Sequence, residues 1–239
     1  LLTRRIFIPL ISLVFLCAII FGLHTLSNSR SYQTFGDLVA RVETDRPVVA
    51  LTFDDGPTAG FTSEVLEILD KLDVTATFFV TGKEVTENSD EARAIAAAGH
   101  ELGNHSYSHA RMIMKSYGTY RSEIEETDAA IRAIGYEGKL HFRPPYGKKL
   151  FGLPWYLSST GRTTIMWDVE PETYPDIADD LDAFVTHVVD ETRSGSIVLM
   201  HVMYGSRAIS REALPGIVTG LRERGFEFVT VSDLLEERT

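Results

Sequence analysis

From residue 47 onward, short apolar runs rich in β-branched and aromatic residues alternate with amphipathic stretches of roughly ten to fifteen residues. The pattern predicts buried strands over 48–53, 76–80, 101–103, 140–142, 164–167, 196–200 and 227–229. It predicts helices over 62–72, 89–98, 119–134, 177–191 and 209–224. In the first of these, Val65, Leu66, Ile68, Leu69 and Leu72 share one side of a 3.6-residue period, and Gly99 stops the second. No internal repeat interrupts the rhythm. Strand–helix alternation of this kind is that of βαβ units, so the expected fold is α/β, a distorted and reduced (β/α) barrel of about seven parallel strands. The domain is too short for eight full units.

The N-terminus reads differently. Residues 6–23 carry no charge, follow Arg4 and Arg5, and precede Ser27, Asn28, Ser29 and Arg30. As a helix the run would be roughly 27 Å long, just enough for a hydrocarbon core. Residues 1–26 are therefore expected to be a membrane-anchor helix. No small-x-small site lies in 21–26, so the anchor is expected to stay uncleaved. The positive charges before it place the N-terminus in the cytoplasm and the rest of the chain outside, in the cell envelope. Residues 27–46 read as a polar tether whose last part is ordered against the domain over 47–239.

Composition narrows the chemistry. The 239 residues are 44% hydrophobic and 24% charged, which is globular rather than disordered. Residues 1–30 hold three of the 23 basic residues and none of the 34 acidic ones, so the body carries all of the acidic excess. Affinity through nucleic-acid phosphates is excluded on that balance. The single cysteine, Cys17, lies inside the apolar run and cannot make an internal disulfide or a thiolate metal cluster. Any metal must be held by histidine and carboxylate.

The polar clusters recur at one place in the rhythm, the C-terminal ends of predicted strands. They are Asp54-Asp55-Gly56, His105-Ser106-Tyr107-Ser108-His109, Arg143-Pro144-Pro145-Tyr146-Gly147, Trp167-Asp168-Val169-Glu170 and His201. In a parallel barrel those ends converge on one mouth, so five clusters become five parts of one site. His105 and His109, four apart, present both imidazoles together in a helix or tight turn. With one carboxylate they make a three-ligand site for a divalent ion, zinc or a similar borderline metal. Asp54 and Asp55 are adjacent and leave an extended backbone in different directions, so one can ligate while the other serves as general base. Arg143, on a rigid exit before two prolines, is placed to hold a carboxylate such as Asp54. His24, His100, His141 and His187 have no such company and read as structural or surface residues.

The segments Thr52-Phe53-Asp54-Asp55-Gly56, His105 to His109, Arg143 to Gly147 and Leu199-Met200-His201 together resemble, in order and spacing, the motifs of the polysaccharide deacetylase family. The resemblance implies a catalytic domain over 47–239 that removes N-acetyl groups from an acetylated polysaccharide or oligosaccharide, using one divalent metal ion, expected to be Zn2+. It implies Asp55, His105 and His109 as metal ligands, Asp54 as base, His201 as general acid and Arg143 as the residue orienting Asp54. It places the Tyr146 N–H at the oxyanion and Leu199 against the acetyl methyl. The chain departs from the family at Glu170-Pro171-Glu172-Thr173-Tyr174. There Glu170 is expected to pair with His201, and Tyr174, with Trp167 beside the cluster, to contact substrate. Phe151, Trp155 and Tyr156 are further candidates for stacking on sugar rings. Three rivals stand beside this reading. They are an O-acetyl esterase acting on xylan, a membrane-tethered sugar-binding protein without catalysis, and an iron(II) oxygen-chemistry site, which leaves Asp54, Arg143 and His201 idle.

Overall fold

In the computed structural model, which describes residues 2–239 and side chains from residue 13 onward, the chain begins with helix α1 (Leu2–Asn28). It continues through the strands β1 (Leu38–Val39) and β2 (Val48–Asp54), then α2 (Phe61–Leu72), β3 (Thr77–Val80), α3 (Gly82–Glu87), α4 (Ser89–Ala97) and β4 (Glu101–Asn104). Next come α5 (Tyr117–Ala133), α6 (Gly152–Ser159), β5 (Thr164–Ile165), α7 (Pro175–Ala178) and α8 (Leu181–Glu191). The chain ends with β6 (Ile197–Met200), α9 (Ala208–Glu223), β7 (Glu227–Phe228) and α10 (Val231–Glu236).

Every pairing between these strands is parallel. β2 lies between β3 and β6, β4 flanks β3, β7 joins the start of β2, and β1 pairs with β5. Single-residue parallel bridges link Asn104 to Phe142, Phe142 to Thr164, and Val169 to Val198. Parallel neighbours need long crossovers, which the helices supply. The α/β class and the strand–helix order are those the hydrophobic pattern predicts.

Side-chain alternation along β2 explains what the sheet does for the site. Val49, Leu51 and Phe53 face a core shared with Val65 and Leu69 of α2, Phe184 of α8 and Leu214 of α9. Val48 and Ala50 face a second core with Val39, Ile165, Trp167, Ile197 and Leu199. Thr52 and Asp54 continue that second row, because residues two apart in a strand share a face. A carboxylate is thereby placed at the end of an otherwise apolar row.

Two expectations need correction. Residues 140–142 do not form a strand: only Phe142 bridges, since Pro144 and Pro145 follow and cannot donate to a ladder. Of the three aromatic candidates for stacking on sugar rings, Tyr156 falls away, because Gly152–Ser159 is helical and Tyr156 lies on its buried side. Tyr156 is buried in a core with Tyr120, Ile124 and Phe142, while Phe151 and Trp155 are exposed. The last part of the expected tether lies against the body: β1 adds to β5, and Val39 and Val42 are buried. The anchor expected over 1–26 falls partly outside the described side chains. Among the described residues no helix is long and apolar enough to cross a membrane.

Gly195 sets the docking of residue 42. Its φ is +78°, and a Cβ there would lie 1.8 Å from the Val42 carbonyl oxygen, whereas Gly225, at +86°, has open space around it. Both Gly→Ala variants incur backbone strain of about 1–2 kcal/mol, but only Gly195→Ala also forces the N-terminal segment away. Thermal unfolding should show Gly195→Ala melting several degrees below Gly225→Ala. Equal melting temperatures would mean that the contact is not tight.

Candidate active site and metal centre

Arg143 is fully buried and has the most partners in the site. Its guanidinium donates to Asp54 Oδ1 at 2.6 Å, to Thr52 Oγ1 at 2.8 Å and to the Met166 carbonyl at 3.2 Å. It lies 4.1 Å from the centroid of the Phe79 ring. Its own carbonyl accepts from His105 Nδ1 at 2.8 Å. That bond assigns the His105 proton to Nδ1 and leaves Nε2 with a free lone pair, 3.6 Å from Asp54 and 3.7 Å from Asp55.

The two aspartates separate as their adjacency demands. Asp54 closes β2 with its side chain buried against Arg143. Asp55 follows with φ +73°, a left-handed conformation that turns its carboxylate toward the histidines. Asp55 Oδ1 lies 3.2 Å from His109 Nε2, and Oδ2 lies 3.9 Å from His201 Nε2. The segment from His105 to His109 is a turn rather than a helix, with φ +65° at Ser106 and +55° at His109. Glu123 of α5 holds it by accepting from the Tyr107 and Ser108 backbone N–H groups at 2.9 and 2.8 Å. Asn104 accepts from the Ser106 N–H at 2.9 Å. Such strain persists only where the surroundings enforce it, and here it clusters on one site.

His201 follows β6, and its partner differs from the expected one. Its Nδ1 donates to Glu172, and its backbone N–H donates to the same carboxylate at 3.1 Å. The 3-10 turn Pro171–Thr173 brings Glu172 inward, where Ser210 also donates to it at 2.6 Å. Glu170 instead accepts from Trp167 Nε1 at 2.8 Å and pairs with Arg30. Asp168 is used elsewhere, accepting from Ser196 Oγ at 2.8 Å and the Ile197 N–H at 2.9 Å. Tyr174 is a second correction. Its ring packs 5.1 Å from that of His187, outside the cavity. Tyr146 has φ +58°, and its side chain stands exposed over the His109 ring at 4.7 Å.

One cavity of about 470 Å³ lies over the site, with Met166, Trp167 and Leu199 as its apolar wall and Asp54, Asp55, His105, His109 and His201 as its polar floor. The functional residues that sequence reading passed over are Glu172, Glu123, Asn104 and Arg30. Only Glu172 carried a signal, as a second carboxylate two residues from Glu170.

The electrostatics separate the titrating groups. Burial alone would raise the Asp54 carboxyl, but Arg143, with His105 and His201, overrides it and holds the group below the ordinary aspartate value. Burial would lower His201, yet the hydrogen bond and charge of Glu172, helped by Asp54 and Asp55, push it up to about 9. Burial, with His105 and His201 nearby, lowers His109 and favours the neutral ligand form over the pull of Asp55.

A family model for polysaccharide deacetylase matches residues 41–165. The chain belongs to the polysaccharide deacetylase family. It is 32% identical over 190 residues to a peptidoglycan-N-acetylglucosamine deacetylase of Bacillus cereus, covering 79% of this chain and 68% of that one. It is 33% identical over 199 residues to a chitooligosaccharide deacetylase of Sinorhizobium fredii, covering 79% and 92%. A solved mutant of a family 4 carbohydrate esterase pseudoenzyme from Bacillus anthracis, one with restored enzymatic activity, superposes with a TM-score of 0.76 at 33% identity, covering 84% of this chain and 72% of that one.

The ligand set of this deacetylase suits a divalent metal. One donor atom each from Asp55, His105 and His109 lie within 4.8 Å of one another. Asp55 Oδ1 is buried without a hydrogen-bond partner, an orphan acceptor that a cation would satisfy. Metal analysis of purified protein should find one ion per chain, largely lost in His105→Ala and His109→Ala and retained in Asp54→Asn. Stoichiometric metal in the double histidine variant would remove these residues as ligands.

Proposed function

We propose that the chain hydrolyses N-acetyl groups on an acetylated aminosugar polymer or oligosaccharide, with Asp54 as base, His201 as acid, and Asp55, His105 and His109 as the residues that would hold a divalent metal. The supporting observation is the pair of oppositely biased groups around one cavity: Asp54 kept ionised by a buried guanidinium, and His201 kept protonated by Glu172. Two titrating groups driven apart by their surroundings are the signature of an acid and a base with separate roles. The metal, expected to be zinc, would supply Lewis-acid polarisation of the acetyl carbonyl and acidify the attacking water.

Asp54 then accepts the proton of that water, and Arg143 keeps its carboxylate aimed and charged. The left-handed backbone at Tyr146 offers an N–H for the developing oxyanion. An amine leaves readily only when protonated, and His201 delivers that proton while Glu172 stabilises the imidazolium. Leu199, Met166 and Trp167 supply an apolar wall suited to the acetyl methyl. The strand bridges through Phe142 and Val169 support reading the sheet as a distorted, reduced barrel whose mouth is this cavity. The apolar side chains exposed on α1 from Leu13 to Phe21, together with Arg4 and Arg5, favour a membrane-anchored enzyme with its site in the cell envelope.

Acetate release from acetylated chito-oligosaccharides should occur and should stop with chelator. Product lacking any free amine, or sugar binding without acetate, would refute the proposal. Asp54→Asn should lose about two or more orders of magnitude in turnover.

Because a neighbouring carboxylate raises the His201 value, Glu172→Gln removes that support and should move the alkaline limb of the pH–rate profile to lower pH. The acidic limb should stay in place. An unmoved alkaline limb would show that another group tunes the acid. Glu170→Gln should leave both limbs where they are.

A further inference from the structure

Arg30 lies outside every motif of the sequence and precedes the catalytic body, yet it lines the active-site cavity. It is carried there by the segment that follows α1. Lys149, itself buried, donates through Nζ to the Ser29 carbonyl and through its backbone N–H to the Ser27 carbonyl at 3.2 Å. Lys148 Nζ donates to Asn28 Oδ1. Both lysines directly follow Tyr146-Gly147, so the loop that shapes the oxyanion corner also fixes residues 27–30.

From that position the Arg30 guanidinium lies over the Trp167 ring, 4.9 Å from its centroid, and pairs with Glu170. The same Glu170 oxygen, Oε2, accepts from Trp167 Nε1. Arg143 lies 5.6 Å from the centroid of the same ring. The indole in turn meets Gly147, where an added Cβ would sit 3.1 Å from the Trp167 ring. A continuous set of contacts therefore runs from the N-terminal segment through Glu170 and Trp167 to the turn beside Tyr146. A charged hydrogen bond and a cation over an indole both resist rotation of that ring.

The geometry points to Arg30 as a positioning residue: the N-terminal segment completes the acetyl-sugar subsite by locking Trp167 through Glu170. The inference deepens the deacetylase reading and rests on it for its kinetic test. It also assigns Glu170 a role in substrate binding rather than in the acid pair.

The holoenzyme is compared with Arg30→Ala, Arg30→Lys, Glu170→Gln and the Arg30→Ala/Glu170→Gln double variant on one soluble acetylated oligosaccharide. Arg30→Ala should raise KM roughly tenfold with kcat nearly unchanged, the pattern of lost binding that is uniform between substrate and transition state. Melting temperature and metal content should not change. Arg30→Lys, which keeps the charge but not the planar stack, should recover part of the loss. The double variant should be no worse than the weaker single one. An unchanged KM in Arg30→Ala, or losses that add, would overturn the inference.

A second measurement needs no turnover. The chain has two tryptophans, so Trp155→Phe leaves Trp167 as the sole emitter. In that background Arg30→Ala should red-shift the emission and increase its quenching by acrylamide, and unaltered emission and quenching would refute the lock. If the unaltered chain released no acetate, the deacetylase reading would fall, and the fluorescence result alone would decide the role of Arg30.

Discussion

A fully buried guanidinium cannot be left unpaired, and the site is organised around the one at Arg143. Removing one partner of such a buried ion pair costs about 3–5 kcal/mol, because the survivor stays charged in a poorly solvated place. Arg143 meets this constraint by collecting Asp54 and Thr52 from β2 and the Met166 carbonyl beyond β5, while its own carbonyl orders His105 beyond β4. Three strand ends are thereby set at fixed distances from one side chain. The ionised state of Asp54 follows from the same contact.

Much of the framework was legible in the chain because burial on both faces of a parallel sheet leaves dense apolar runs. The runs over 48–53, 76–80 and 196–200 correspond to β2, β3 and β6, and the amphipathic periods correspond to α2, α4, α5, α8 and α9. The elements that escaped are short. β1 has two residues, too few to show a period, and α3 has six. Helix α3 did carry a signal, since Thr81 and Glu84 form a capping pair in which Thr81 Oγ1 accepts from the Glu84 N–H at 3.3 Å.

The site divides in the same way. Residues at strand ends could be gathered from their shared place in the rhythm, which is why Asp54, Asp55, His105, His109 and His201 meet in one cavity with Arg143 buried behind Asp54. Glu170 and Glu172 could not be told apart, because a 3-10 turn after Glu170 decides which carboxylate faces His201. Tyr174 was lost to the same turn. Arg30 was invisible because its contact with Glu170 joins residues 140 positions apart, and nothing local marks such a pair.

The central place of β2 has a bearing on motion. It is bonded to β3, β6 and β7, and all seven of its residues are buried. Amides of such a strand exchange with solvent only when the whole domain opens, whereas rim loops open locally at far lower free energy. Asp54, the proposed base, therefore belongs to the slowest-exchanging part of the molecule, while the exposed Tyr146 at the edge of the cavity sits on a loop that opens more readily. Under the proposed function, a sugar chain could enter and leave by movements of the rim without disturbing the buried carboxylate beneath it.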